Sequence, residues 1–160
     1  MKKQKGFSLI ELLIVVAIIL IIAAIAIPNL LRSRMAANEA SAVGSLRTIN
    51  TAEVTYSTTY PATGFAGTLA ELGGATPCTV ATSAAACLID DVLSITAVKS
   101  GYNFAAAGAA GGGTVNVLYT ATAVPTVVGQ SGQRAFFTDQ SGVIRYDTTG
   151  ATATAASPAL

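Results

Sequence analysis

Histidine and tryptophan are missing from this 160-residue chain, cysteine occurs only twice, and 11% of the residues carry a charge. Without histidine the chain lacks the commonest general base and the commonest metal ligand. Serine–histidine and cysteine–histidine nucleophile activation are therefore excluded within it. A zinc site of the usual kind is nearly excluded as well, because Cys78 and Cys87 would need carboxylate help. A formal net charge of +1 gives no basic face for nucleic acid. Aromatic residues, at 6%, are too sparse and scattered for conduction along a fibre. No catalytic residue, cofactor or metal is expected. The length allows one compact domain, or a smaller one with an appendage.

What the chain does have is hydrophobicity, with a mean hydropathy of +0.60, and it is concentrated at the front. Eight of the 12 isoleucines lie between Ile10 and Ile27, and Leu12 to Ile27 is 16 consecutive apolar residues. From Phe7 to Ile27 only Ser8 and Glu11 interrupt the run. As a helix those residues span roughly 32 Å, the thickness of a bilayer's hydrocarbon core. Beyond Pro28 the hydrophobicity is largely alanine; Ala, Thr, Gly and Ser make up 77 of the 160 residues. The core of that part rests on few large anchors.

Charge is uneven too. Lys2, Lys3 and Lys5 precede the apolar run, while from residue 7 onward there are six basic and eight acidic side chains. A basic leader orients the run with its N-terminus in the cytoplasm and the bulk of the chain across the inner membrane. In that oxidising compartment Cys78 and Cys87, with eight residues between them, are expected to form a disulfide, a pair of buried free thiols being the alternative.

The front end admits three readings. A cleaved secretory signal has a small-x-small site at Ala24-Ile25-Ala26, but Pro28 follows the cut and Glu11 sits in the apolar region. A carboxylate there costs about 2.5–3.5 kcal/mol on insertion scales, and simple export gives nothing in return. A plain signal anchor leaves Glu11 equally unexplained. If the chain is cut after Gly6, the new α-amine of Phe7 becomes a partner for Glu11, within the chain or in a neighbour. Opposite charges attract strongly in hydrocarbon and can fix the register of subunit packing.

The run Lys5-Gly6-Phe7-Ser8-Leu9-Ile10-Glu11-Leu12-Leu13-Ile14-Val15-Val16-Ala17-Ile18-Ile19, continuing through Ile27-Pro28-Asn29-Leu30, resembles the cleavage and methylation signature of type IV pilins and type II secretion pseudopilins. The resemblance implies removal of residues 1–6 by a prepilin peptidase after Gly6 and N-methylation of Phe7. It implies that Glu11 recruits the amine of an incoming subunit. It further implies an inner-membrane assembly platform, storage in membrane lipid, and polymerisation with copies of itself. The filament would be an extracellular pilus serving adhesion, twitching motility or DNA uptake, or a periplasmic pseudopilus. One departure is that many type IV pilins close a loop with two cysteines near the end, whereas here both lie mid-chain. A membrane-anchored head that binds ligands as a monomer is the reading from another class.

The implied fold is α+β, a long N-terminal helix packed on an antiparallel sheet of about four strands. The organisation read from the residues is a leader at 1–6, a membrane or filament-core helix at 7–27, and an amphipathic helix at 28–60. A connecting region with the cysteine loop follows at 61–97, then the sheet at 98–150 and a loose or edge-lying tail at 151–160. Pro28 is expected to kink or loosen the helix. Ala42, Leu46, Ile49, Glu53, Tyr56 and Tyr60 recur at three- and four-residue spacing and form a stripe able to cover a sheet, with Glu53 at its edge. Arg32, Arg34, Glu39 and Arg47 fall mostly off it and read as a solvated face, available for ion pairs between subunits. Thr68 to Glu71 has capping-box spacing. Strands are expected at Val98–Ala106, Val115–Val124, Gln133–Asp139 and Val143–Asp147, with a hairpin turn at Asp139-Gln140-Ser141-Gly142. Asp139 and Asp147 read as turn residues before calcium ligands. Asp90-Asp91 reads as a solvated pair or a helix start, and Gly108 to Gly113 as a flexible connection.

Overall fold

A computed structural model describes residues 7–74 and 77–160. The expected leader and Gly6 lie outside the described residues. The chain divides into two compact units, one ending at Arg34 and the other covering Met35–Leu160. A single helix, α1 (Leu9–Thr59), runs through both. It continues unbroken through Pro28, whose ring nitrogen has no hydrogen to give the carbonyl one turn back. At its far end the Tyr60 amide donates to the Tyr56 carbonyl, and Pro61 prevents another turn.

In the second unit the sequence stripe becomes the buried face of α1. Ala42, Leu46, Ile49 and Tyr56 are buried and meet Tyr102, Phe104, Ala121, Ala123 and Phe136 of the sheet. Glu53 is not at the edge of that stripe but fully buried within it. The sheet is antiparallel with five strands in chain order: β1 (Val98–Lys99), β2 (Tyr102–Ala109), β3 (Leu118–Pro125), β4 (Ala135–Asp139) and β5 (Arg145–Asp147). The register pairs Tyr102 with Pro125, Ala121 with Thr138, and Phe136 with Tyr146. Alternation along β2 and β3 puts Tyr102, Phe104, Tyr119, Ala121 and Ala123 on the α1 side and leaves Asn103, Ala105 and Thr120 exposed. Alanine on the inner face lets the larger side chains of α1 seat against it.

The expected strand at Val98–Ala106 is two strands. Ser100 and Gly101 both take left-handed backbone (φ 51° and 73°), the geometry of a tight two-residue hairpin. The other strands fall inside or near their expected ranges. The hairpin at Asp139–Gly142 is present, with the Gly142 amide on the Asp139 carbonyl at 2.8 Å. The glycine-rich run contributes Gly108 and Ala109 to β2 and otherwise connects β2 to β3. The tail lies beside β5: the Tyr146 amide donates to Pro158 and the Leu160 amide to Ile144.

Between α1 and the sheet lie α2 (Leu69–Leu72) and a π-helical turn, Val92–Thr96. The capping box is not formed as expected. The Thr68 side chain makes no capping bond, and Glu71 accepts instead from the Gly67 amide, one residue before the cap.

Candidate functional site

The N-terminal half of α1 is a helix whose sides are all bare. Leu9, Ile10, Leu12, Leu13, Ile18, Ile19, Ile22, Ile25 and Ile27 are each more than half exposed. Such a surface is stable only against lipid or other apolar helices, and the helix is long and apolar enough to cross a membrane. Leucine and isoleucine fill it without proline before residue 28, so hydrogen bonding is continuous from the first turn, where the Leu12 amide reaches the Ser8 carbonyl at 3.1 Å.

Phe7 precedes α1 and is 70% exposed. Glu11 stands in the first turn, the sole charged side chain between residues 7 and 31. The unsatisfied amides at a helix N-terminus favour an anion there. Glu11 follows Phe7 by four positions, so an amine at residue 7 and this carboxylate lie close together along the chain.

The disulfide between Cys78 and Cys87 is present, with Cα atoms 5.9 Å apart. Its loop is tied to α2, since the amides of Ala86, Cys87 and Leu88 donate to the carbonyls of Glu71, Gly73 and Leu72. The Tyr56 hydroxyl reaches from α1 to the Ser83 carbonyl. Asp139 and Asp147 serve their own turns, each accepting from the amide and hydroxyl two residues on, in Ser141 and Thr149. Those bonds hold the Asp147 carboxyl below its usual range. Asp90 is a helix-start acid. Its side chain accepts from the Leu93 amide and pairs with Lys99 at 2.7 Å, and the Lys99 bond leads in lowering its pKa.

Glu39 departs furthest from its expected place. It is not on a solvated face; it is buried and pairs within its own chain with Arg134, at 2.8 Å. It also accepts from the amides of Gln133 and Arg134. Burial disfavours its charge, yet the amides and the guanidinium outweigh that and leave the carboxyl below its usual range. Arg134 in turn lies over the rings of Phe136 and Tyr146. Extending the buried stripe one turn back from Ala42 and Val43 reaches Glu39, which is the signal that would have found it.

The second unit is a helix-on-sheet head, and the first is a bare apolar helix, long enough to cross a membrane, with one acid in its first turn. A family model described as the prokaryotic N-terminal methylation motif matches residues 1–27. The chain is 64% identical over 39 residues to the type IV wide pilus major component PilA4 of Thermus thermophilus, covering 24% of this chain and 30% of that protein. It is 44% identical over 54 residues to the type IV major pilin protein PilA of Myxococcus xanthus, covering 34% of this chain and 24% of that one. Over its N-terminal segment the chain is thus similar to type IV major pilins and carries the methylation motif. The matched stretches span less than a third of either relative's length. No solved structure matches the chain significantly.

Proposed function

We propose that the chain is a structural subunit of a type IV pilus-like filament. A prepilin peptidase cuts after Gly6, Phe7 is N-methylated, and the mature subunit waits in the inner membrane with its head on the periplasmic side. An assembly platform moves it into a filament that grows by copies of the same chain. The observation that carries this reading is the bare apolar helix with a single carboxylate, Glu11, inside the methylation motif. In hydrocarbon that carboxylate is costly alone and favourable beside the amine of a neighbouring Phe7. The two major pilins among the relatives favour a pilus over a secretion pseudopilus. Adhesion, twitching motility and DNA uptake are the tasks proposed for such a filament.

Mass spectrometry of the membrane or filament form tests the processing, with a chain beginning at methylated Phe7 as the expected result. A chain beginning at Ile27 means ordinary signal cleavage and sinks the proposal. Glu11→Ala is expected to abolish filaments, seen by electron microscopy, while the protein stays in the membrane fraction. Normal filaments from that variant would show that Glu11 sets no register.

A further inference from the structure

Two carboxylates meet two consecutive backbone amides where the chain leaves α1 and turns back toward α2. Glu53 Oε2 accepts from the Ala66 amide at 2.9 Å, and Glu71 Oε2 accepts from the Gly67 amide at 2.7 Å. Glu53 is fully buried, and its second oxygen, Oε1, has no hydrogen-bond partner. Ala66 is likewise buried. The turn they hold is fastened on its far side to residue 116, through Phe65 N to Asn116 O at 2.9 Å and Asn116 N to Thr63 O at 2.8 Å. Its Phe65 ring packs on Tyr119 with centroids 4.8 Å apart.

We propose that Glu53 and Glu71 form a proton-operated latch, with neutral Glu53 seating the 63–67 turn on α1 and ionised Glu53 releasing it. An ionised, fully buried carboxylate with one oxygen unpartnered is costly, and a neutral one much less so. The groups that face Glu53 add to this. Glu71 from α2 is a like charge, while Tyr119 from β3 and Tyr56 from α1 itself are hydroxyls whose own ionisation is suppressed by burial and by these acids. Burial first, with the Glu71 charge added, pushes the Glu53 carboxyl up to about 7 against the Ala66 bond, which opposes it. The carbonyls of Glu71, Leu72 and Gly73 hold residues 86–88, so the α2 side of the latch is anchored to the disulfide loop.

The sign follows from linkage. Glu53 binds its proton more tightly when the latch is closed than when it is open, so closure is fully favoured below the ordinary carboxylate range. It weakens as pH rises from about 4.5 to about 7, and is level above that. The opening constant rises by up to about tenfold per pH unit in that window, about two orders of magnitude in all.

The test uses the full chain in detergent micelles. Carbon NMR is expected to show the Glu53 carboxyl titrating near neutrality. Exchange protection of the Ala66 and Gly67 amides, corrected for intrinsic base catalysis, is expected to fall between pH 5 and 7. Glu53→Gln keeps an acceptor for Ala66 and is expected to flatten that dependence; Glu71→Gln removes the like charge and should lower the Glu53 midpoint. Glu53 titrating between pH 4 and 5 would overturn the latch, as would undiminished pH dependence in Glu53→Gln. An unchanged Glu53 midpoint in Glu71→Gln would overturn the pairing of the two acids. If Glu53→Gln does not fold, the wild-type titration and Glu71→Gln still decide.

Discussion

Glu39 and Glu53 stand about four turns apart on one helix, both buried, and their surroundings treat them oppositely. Glu39 has a guanidinium and two amides, so it remains charged and ties α1 to the start of β4. Glu53 has one amide and a like-charged neighbour. Replacing Glu39 by Ala leaves two amides and a partly exposed guanidinium without their acceptor. The expected loss is roughly 2 kcal/mol of head stability, read from urea unfolding in micelles. Because the Glu39 carboxyl lies below its ordinary value in the folded head, its contribution is present above the usual carboxylate range. It fades as pH falls through the folded value. This contact joins residues 95 positions apart, and nothing in local spacing announces which distant cation a helical acid will find.

At the scale of elements, legibility followed locality. The stripe through Ala42, Leu46, Ile49 and Tyr56 was readable because helical spacing alone puts those side chains on one face. The motif around Glu11 was readable because it is contiguous. The break between β1 and β2 was not, because Ser100-Gly101 sits inside a run whose neighbours suit a strand, and only the left-handed backbone of both residues reveals the reversal. Glu53 reads from the sequence as an edge residue of the stripe because the amide that meets it belongs to a turn 13 residues on. The disulfide shows an element's worth differently. Closing a loop of about ten residues removes denatured-state freedom worth about 2–3 kcal/mol in the chain-entropy model. Reduction, or Cys87→Ser, is expected to lower the thermal midpoint accordingly. The sharpest loss of amide protection should fall at Ala86, Cys87 and Leu88, whose bonds to α2 the bridge holds in register.

For the whole head, the titrating groups set opposing limits. Glu39 and Asp90, both held low, withdraw their stabilisation as the medium becomes acid. Glu53, held high, withdraws its own as the medium rises from about 4.5 toward 7. The thermal midpoint is expected to peak near the junction of these two windows, around pH 4.5–5. Calorimetry across pH 3 to 8 checks this, and Glu53→Gln should remove only the decline on the neutral side.

The strip of chain lying beside β5 has a further consequence, for crowding. A subunit kept among many identical neighbours runs the hazard that one sheet will extend into the next through open strand edges. Here the amides of Tyr146 and Leu160 are engaged along β5 with Pro158 and Ile144. On the opposite margin β1 is only two residues long and carries Lys99. The β2 amides of Phe104 and Gly108 are taken up by the carbonyls of Ala97 and Gly67. With the tail along β5 and β1 only two residues long, neither margin offers a long open strand edge for addition. Under the proposed filament, the bare helix is then the surface left for copies to join, and a dense population of subunits would wait without gelling.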